Sequence, residues 1–172
     1  MAFNFVVETG IADSDANSYA DVEFADDYVE ANIYAEAWAL ASEETKQKLL
    51  VRASKNLDAR VNWYGTRVDE DSGLRWPRAG VYDRDGFLIA EDVIPEQLQE
   101  AVVEFAVYLS TYDWTSPRDA DQFKELQVDV IDIKFDPAFR KAAIPDTVVL
   151  MLEGLGDVNG GKRPGFKKII RV

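Results

Sequence analysis

The stretch Ile94-Pro95-Glu96-Gln97-Leu98-Gln99-Glu100-Ala101-Val102-Val103-Glu104-Phe105-Ala106-Val107-Tyr108-Leu109-Ser110-Thr111-Tyr112 decides the reading of the fold. Leu98, Val102, Phe105, Leu109 and Tyr112 recur at spacings of four, three, four and three, which puts them on one face of an α-helix. Pro95 suits a first helical turn, where a missing N–H costs nothing, and Glu96 meets the positive end of the helix dipole. The same start signal, Ile144-Pro145-Asp146, opens a short last helix that Gly154 can end. Upstream, Ser42 followed by Glu43 and Glu44 offers an N-cap and an acidic first turn. Leu50, Ala53, Leu57 and Val61 then predict a helix from about Glu43 to Val61 with a core-facing stripe. Asp21 caps a further helix whose apolar face is ragged, made by Phe24, Tyr28, Val29 and Ile33.

These segments predict a mainly α protein: a small bundle of about four helices with an inserted β-strand or hairpin arm and extended termini. Residues 1–155 form the helical domain and residues 156–172 a basic and apolar C-terminal arm. The first twenty residues read as an extended arm or short strand leading into a turn. Residues 62–93 hold Gly65, Gly73, Pro77, Gly80 and Gly86, too many breakers for a long helix, so they connect. Within them Val81-Tyr82, the turn Asp83-Arg84-Asp85-Gly86 and Phe87-Leu88-Ile89 predict a hairpin. The β arm lies near 126–136, where Val128 and Val130, then Ile131, Ile133 and Phe135, alternate with polar residues. Its shift of phase at Val130 and Ile131 suits a bulge or a change of partner.

The 172 residues suit one domain with a core of its own. The chain has no Cys and no His, which excludes thiolate and imidazole chemistry, the usual zinc ligand sets and the Ser-His-Asp triad. No catalytic residue, cofactor or metal site is expected, and a cysteine-free chain fits a reducing cytoplasm. Met1 to Gly10 lacks the basic and apolar regions of a secretory signal, and no run of eighteen apolar residues occurs, so no membrane partner is expected. A net charge of −13 repels phosphate polymers on average. The charge is uneven: residues 1–120 hold 24 acids and 10 bases, residues 121–172 hold 8 acids and 9 bases.

Asp83-Arg84-Asp85-Gly86 opens with the spacing of a calcium loop, but Phe87 takes the next ligand position, and a polar turn is the better reading. Asp69-Glu70-Asp71 reads as a solvated loop. Trp76, set between Arg75 and Arg78 and before Pro77, either stacks at an interface or caps the core with its flanking arginines in water. In the tail, Lys162, Arg163, Lys167, Lys168 and Arg171 alternate with Phe166, Ile169 and Ile170 after a Gly160-Gly161 hinge. Docking to protein is the favoured role, against a phosphate-binding arm or a solubilising end. The candidate partner-binding residues are thus Trp76, Arg78, Val128, Val130, Ile131, Ile133 and these tail residues.

Asp15-Ala16-Asn17-Ser18-Tyr19, the Ala-rich segment around Trp38, Arg52-Ala53-Ser54-Lys55-Asn56-Leu57-Asp58 and above all Leu74-Arg75-Trp76-Pro77-Arg78-Ala79-Gly80-Val81-Tyr82-Asp83-Arg84-Asp85-Gly86 with Ile94-Pro95 carry a family likeness. Over about residues 8–154 the chain resembles small tailed-bacteriophage proteins of head-to-tail modules, labelled neck adaptor or head completion proteins and also DnaT-like single-stranded-DNA-binding proteins. For the connector members the resemblance implies a virion protein assembled in the host cytoplasm. It implies a homo-oligomeric ring of twelve that docks to the portal protein above and a neck or tail protein below, with DNA passing through unbound. The alternative is a replication accessory protein that binds single strands. It would use Trp63 and Tyr64 with Arg60 and Arg67, and Trp76 between Arg75 and Arg78, as a basic stacking groove.

Overall fold

Asp21 accepts the Phe24 backbone N–H through Oδ1 at 2.7 Å and starts α1 (Val22–Val29). Ser42 accepts the Thr45 N–H at 3.3 Å and starts α3 (Glu43–Arg60), and between them lies the single turn α2 (Glu36–Ala39). Both caps satisfy donors that would otherwise be orphaned at a helix start. The computed structural model describes residues 3–111, 125–128, 131–134 and 144–158, and the architecture is stated for those. The decisive stretch forms α4 (Glu96–Thr111), and α5 (Asp146–Met151) follows Pro145. Leu98, Val102, Phe105 and Leu109 are all buried, as their spacing requires, while Tyr112 lies outside the described residues. Each such large side chain contributes about 1.5–3 kcal/mol on burial. The helices α3 and α4 make the most extensive helix pair, and α1, α2 and α5 pack on α4.

The expected mainly α bundle does not form; the described residues make a small mixed α/β domain, with fewer than half of them helical. Three antiparallel strand pairs account for the difference. β1 (Val61–Trp63) continues directly from α3 and pairs with β6 (Gly156–Val158), so Trp63 lies opposite Gly156. β2 (Thr66–Arg67) pairs with β3 (Arg78–Ala79), inside the region read as a connection. β4 (Glu125–Val128) and β5 (Ile131–Lys134) pair with each other, Val128 opposite Ile131, so the arm is a hairpin and the shift of phase separates its two strands. Strands of two or three residues are too short to show alternation, and the partner of β1 comes from the far end of the chain. Nor is the N-terminal segment an extended arm. Val6 accepts N–H bonds from Asn17 and Ser18, Val7 bridges to Ser18, and Phe5 and Val6 pack on the core. Buried Glu8 holds this fold-back, accepting the N–H groups of Gly10, Ala12 and Asp13 at 2.8, 3.0 and 2.9 Å.

The predicted hairpin is present, with Tyr82 bridged to Leu88 and Gly86 at φ +85. Asp83 Oδ1 accepts the N–H groups of Asp85 and Phe87 at 2.9 and 2.8 Å, the bonding of a polar turn. Arg84 ties the hairpin to α5 through Glu153 at 2.7 Å and the Leu150 carbonyl at 2.8 Å.

Candidate functional site

Tyr19, the last residue of the Asp15–Tyr19 motif, reaches across the domain to the Arg-Trp-Pro-Arg loop. Its hydroxyl accepts the backbone N–H groups of Arg75 and Trp76 at 2.9 and 3.1 Å and donates to Asp58 Oδ1 at 2.7 Å. Asp58, near the end of α3, also accepts Trp63 Nε1–H on Oδ1 at 3.0 Å and the Arg75 N–H on Oδ2 at 3.0 Å. Ser54, one turn earlier on the same face, is fully buried and accepts the Tyr19 N–H at 3.2 Å. Three separate sequence motifs therefore meet at one buried knot. Burial raises the Asp58 carboxyl above its ordinary range, against the lowering effect of its hydrogen bonds from Tyr19, Arg75 and Trp63. Burial, and then the Asp58 charge, pushes the Tyr19 hydroxyl well up.

Trp76 is fully buried, edge-on to Trp63 with ring centroids 6.2 Å apart, and the Trp76–Pro77 bond is cis. Of the two roles open to it, the core one is what the structure displays. Arg78 donates to the carbonyls of Tyr64, Gly65 and Arg75 at 2.5, 2.7 and 3.0 Å, and burial lowers its pKa. Arg67 donates to the carbonyls of Ser72 and Leu74 at 2.5 and 3.3 Å. The stacking groove drawn from these residues is therefore not assembled: its central aromatic is inside, and two of its arginines close turns. What opens to solvent beside them is a polar cleft of 330 Å³ lined by Asp58, Trp63, Arg75 and Arg78 among others.

Val128, Ile131 and Ile133 lie on the strands of the β4–β5 hairpin. Val130 and the tail candidates Lys162, Arg163, Phe166, Lys167, Lys168, Ile169, Ile170 and Arg171 lie outside the described residues. Exposed apolar side chains that are not among the partner-binding candidates stand at two turns. Ile33, Tyr34 and Leu40 stand 83%, 84% and 80% exposed around α2, and Tyr82, Phe87 and Leu88 stand out from the hairpin. Ile33 was assigned to the apolar face of α1; the helix ends at Val29, four residues too soon. A signal existed in Asn32, whose side chain accepts the Tyr34 N–H at 3.0 Å and turns the chain there. Among the described residues no acidic group is arranged to hold a metal ion, and no helix is long and apolar enough to cross a membrane.

A family model described as "Putative DnaT-like ssDNA binding protein" matches residues 3–172. No curated protein and no solved structure gives a match.

Proposed function

This chain belongs to the DnaT-like ssDNA binding protein family; against what that description suggests, we propose that it acts by binding protein rather than nucleic acid, as a neck adaptor of a tailed phage that assembles as a ring and docks to the portal. The observation that carries this reading is the fate of the Leu74–Gly86 motif. Its Trp76 is buried and its Arg78 is bonded to three backbone carbonyls, so these two residues build the fold and are not presented to a base or a phosphate. Exposed apolar groups at the α2 turn and on the hairpin supply protein-binding surface of the kind a ring subunit needs. A net charge of −13 lets a duplex slide through such a ring without being gripped. Quantitative mass spectrometry of nuclease-treated phage particles tests it: copies near those of the portal protein are expected, and absence from the particle overturns it.

The family's description favours a second reading, single-strand binding. Partly buried Trp63 and the exposed Arg75 side chain at the polar cleft are the groups that could serve it. The Asp58 carboxylate in the same cleft opposes a phosphate.

A further inference from the structure

We infer that the groove between α1 and α2 is the seat of the C-terminal segment 162–172 of a second copy of this chain. The inference deepens the ring reading and rests on it. The groove has a volume of 590 Å³ and an apolar floor that includes Val29 and Trp38. Trp38 is held in place by its Nε1–H to Asp26 at 2.8 Å. Lys46 binds both Asp26 oxygens at 2.7 and 3.0 Å and sits 5.6 Å from the ring centroid. With Asp26 and Lys46 matched to each other, the remaining charges of the lining are Asp27, Glu30 and Glu36, all exposed and all negative. Ile33, almost wholly exposed, forms an apolar lip.

The C-terminal segment is the complement of that surface. From Asn159 to Val172 the chain carries five basic side chains and no acidic one, with Phe166, Ile169 and Ile170 interleaved. The apolar side chains can fill the floor while Lys167, Lys168 and Arg171 meet the acidic rim. Fourteen residues beyond β6 span up to roughly 45 Å when extended, enough to reach a neighbouring subunit. An arm of one copy on the groove of the next is a heterologous contact, the type that closes into rings.

The test uses full-length protein. A labelled peptide of residues 160–172 is titrated onto the K167E/K168E/R171E variant, whose own tail no longer competes. Saturable binding is expected, weakened at least tenfold by adding D27K/E30K/E36K to the host or by alanine at Phe166, Ile169 and Ile170 of the peptide. Reversing three acids elsewhere (E70K/E91K/D92K) is expected to change it less than twofold. Equal loss in that control, or indifference to the rim, overturns the proposal. The D27K/E30K/E36K and K167E/K168E/R171E chains are then mixed tenfold above the peptide's Kd and weighed by native mass spectrometry. Mixed assemblies from two chains that are each monomeric alone are expected, since each rim then meets a tail of opposite charge. A monomeric mixture overturns docking in a second copy, and assembly of either variant alone overturns the arm and groove pairing while leaving the ring itself standing.

Discussion

The Tyr19 hydroxyl illustrates how much one atom carries. It is the acceptor for two backbone N–H groups, and only that of Arg75 has a second acceptor, Asp58 Oδ2. Tyr19→Phe therefore orphans the Trp76 N–H in a buried site and is expected to cost about 1–3 kcal/mol, read as a lower urea midpoint at unchanged slope. Asp58 adds a pH dependence. Its folded pKa lies above the ordinary 3.8, so the folded state holds more protons than the unfolded one just above that value. The stability this contributes is fully present below the unfolded pKa and is lost as pH rises through the folded pKa. Asp58→Asn removes that titration and also turns an amide donor toward a knot whose bonds to Asp58 all come from donors. The variant is expected to be less stable throughout, with its deficit shrinking as pH is raised from about 4 toward neutrality, in urea titrations of both proteins. A deficit that grows with pH would contradict the raised pKa. The sequence did not announce this knot. Tyr19, Asp58 and Trp76 each belonged to a motif, but only a fold can show that three motifs share one hydroxyl.

At the scale of elements, helix starts and hairpins closed by a local turn were legible, and the short strands β1, β2, β3 and β6 with distant partners were not, for one physical reason. A helix start is encoded within four residues, and both Asp21 and Ser42 cap where expected. Ser42→Ala is accordingly expected to cost about 0.5–2 kcal/mol in thermal or chemical denaturation, with Ser42→Asp close to the wild type because aspartate also accepts the N-cap bond. The strand β6 carries no comparable local code. Gly156 is required there because a Cβ would lie 2.7 Å from Val61 Cγ1 and 2.9 Å from the Asn62 carbonyl oxygen, a requirement set by β1 far upstream in the chain. Two of the expected interface residues, Trp76 and Arg78, belong to the same lesson. A Trp between arginines suits a surface or a core equally by composition, and the donors and carbonyls that decide between them come from distant residues.

At the scale of the whole molecule, charge separates the two functional readings. A single-strand binder neutralises phosphates and releases their counterions, so its affinity falls with salt at a logarithmic slope of about −0.7 per phosphate contacted. The arginines that would make those contacts here include Arg67 and Arg78, which already donate five hydrogen bonds to backbone carbonyls within the fold. The surface left to meet an oligonucleotide belongs to a chain with 32 acids and 19 bases. Anisotropy of a labelled poly-dT oligonucleotide is therefore expected to stay flat at physiological salt up to about 100 μM protein, the weak end of ordinary non-specific binding. Any rise seen at low salt is expected to vanish when Lys162, Arg163, Lys167, Lys168 and Arg171 are changed together to Gln, because the tail is the longest stretch of the sequence with bases and no acids. Tight binding at physiological salt that survives those changes would place the contacts on the folded domain. Arg75 and Trp63 at the polar cleft would then be the residues to substitute, and single-strand binding would displace assembly as the first account of what this chain does.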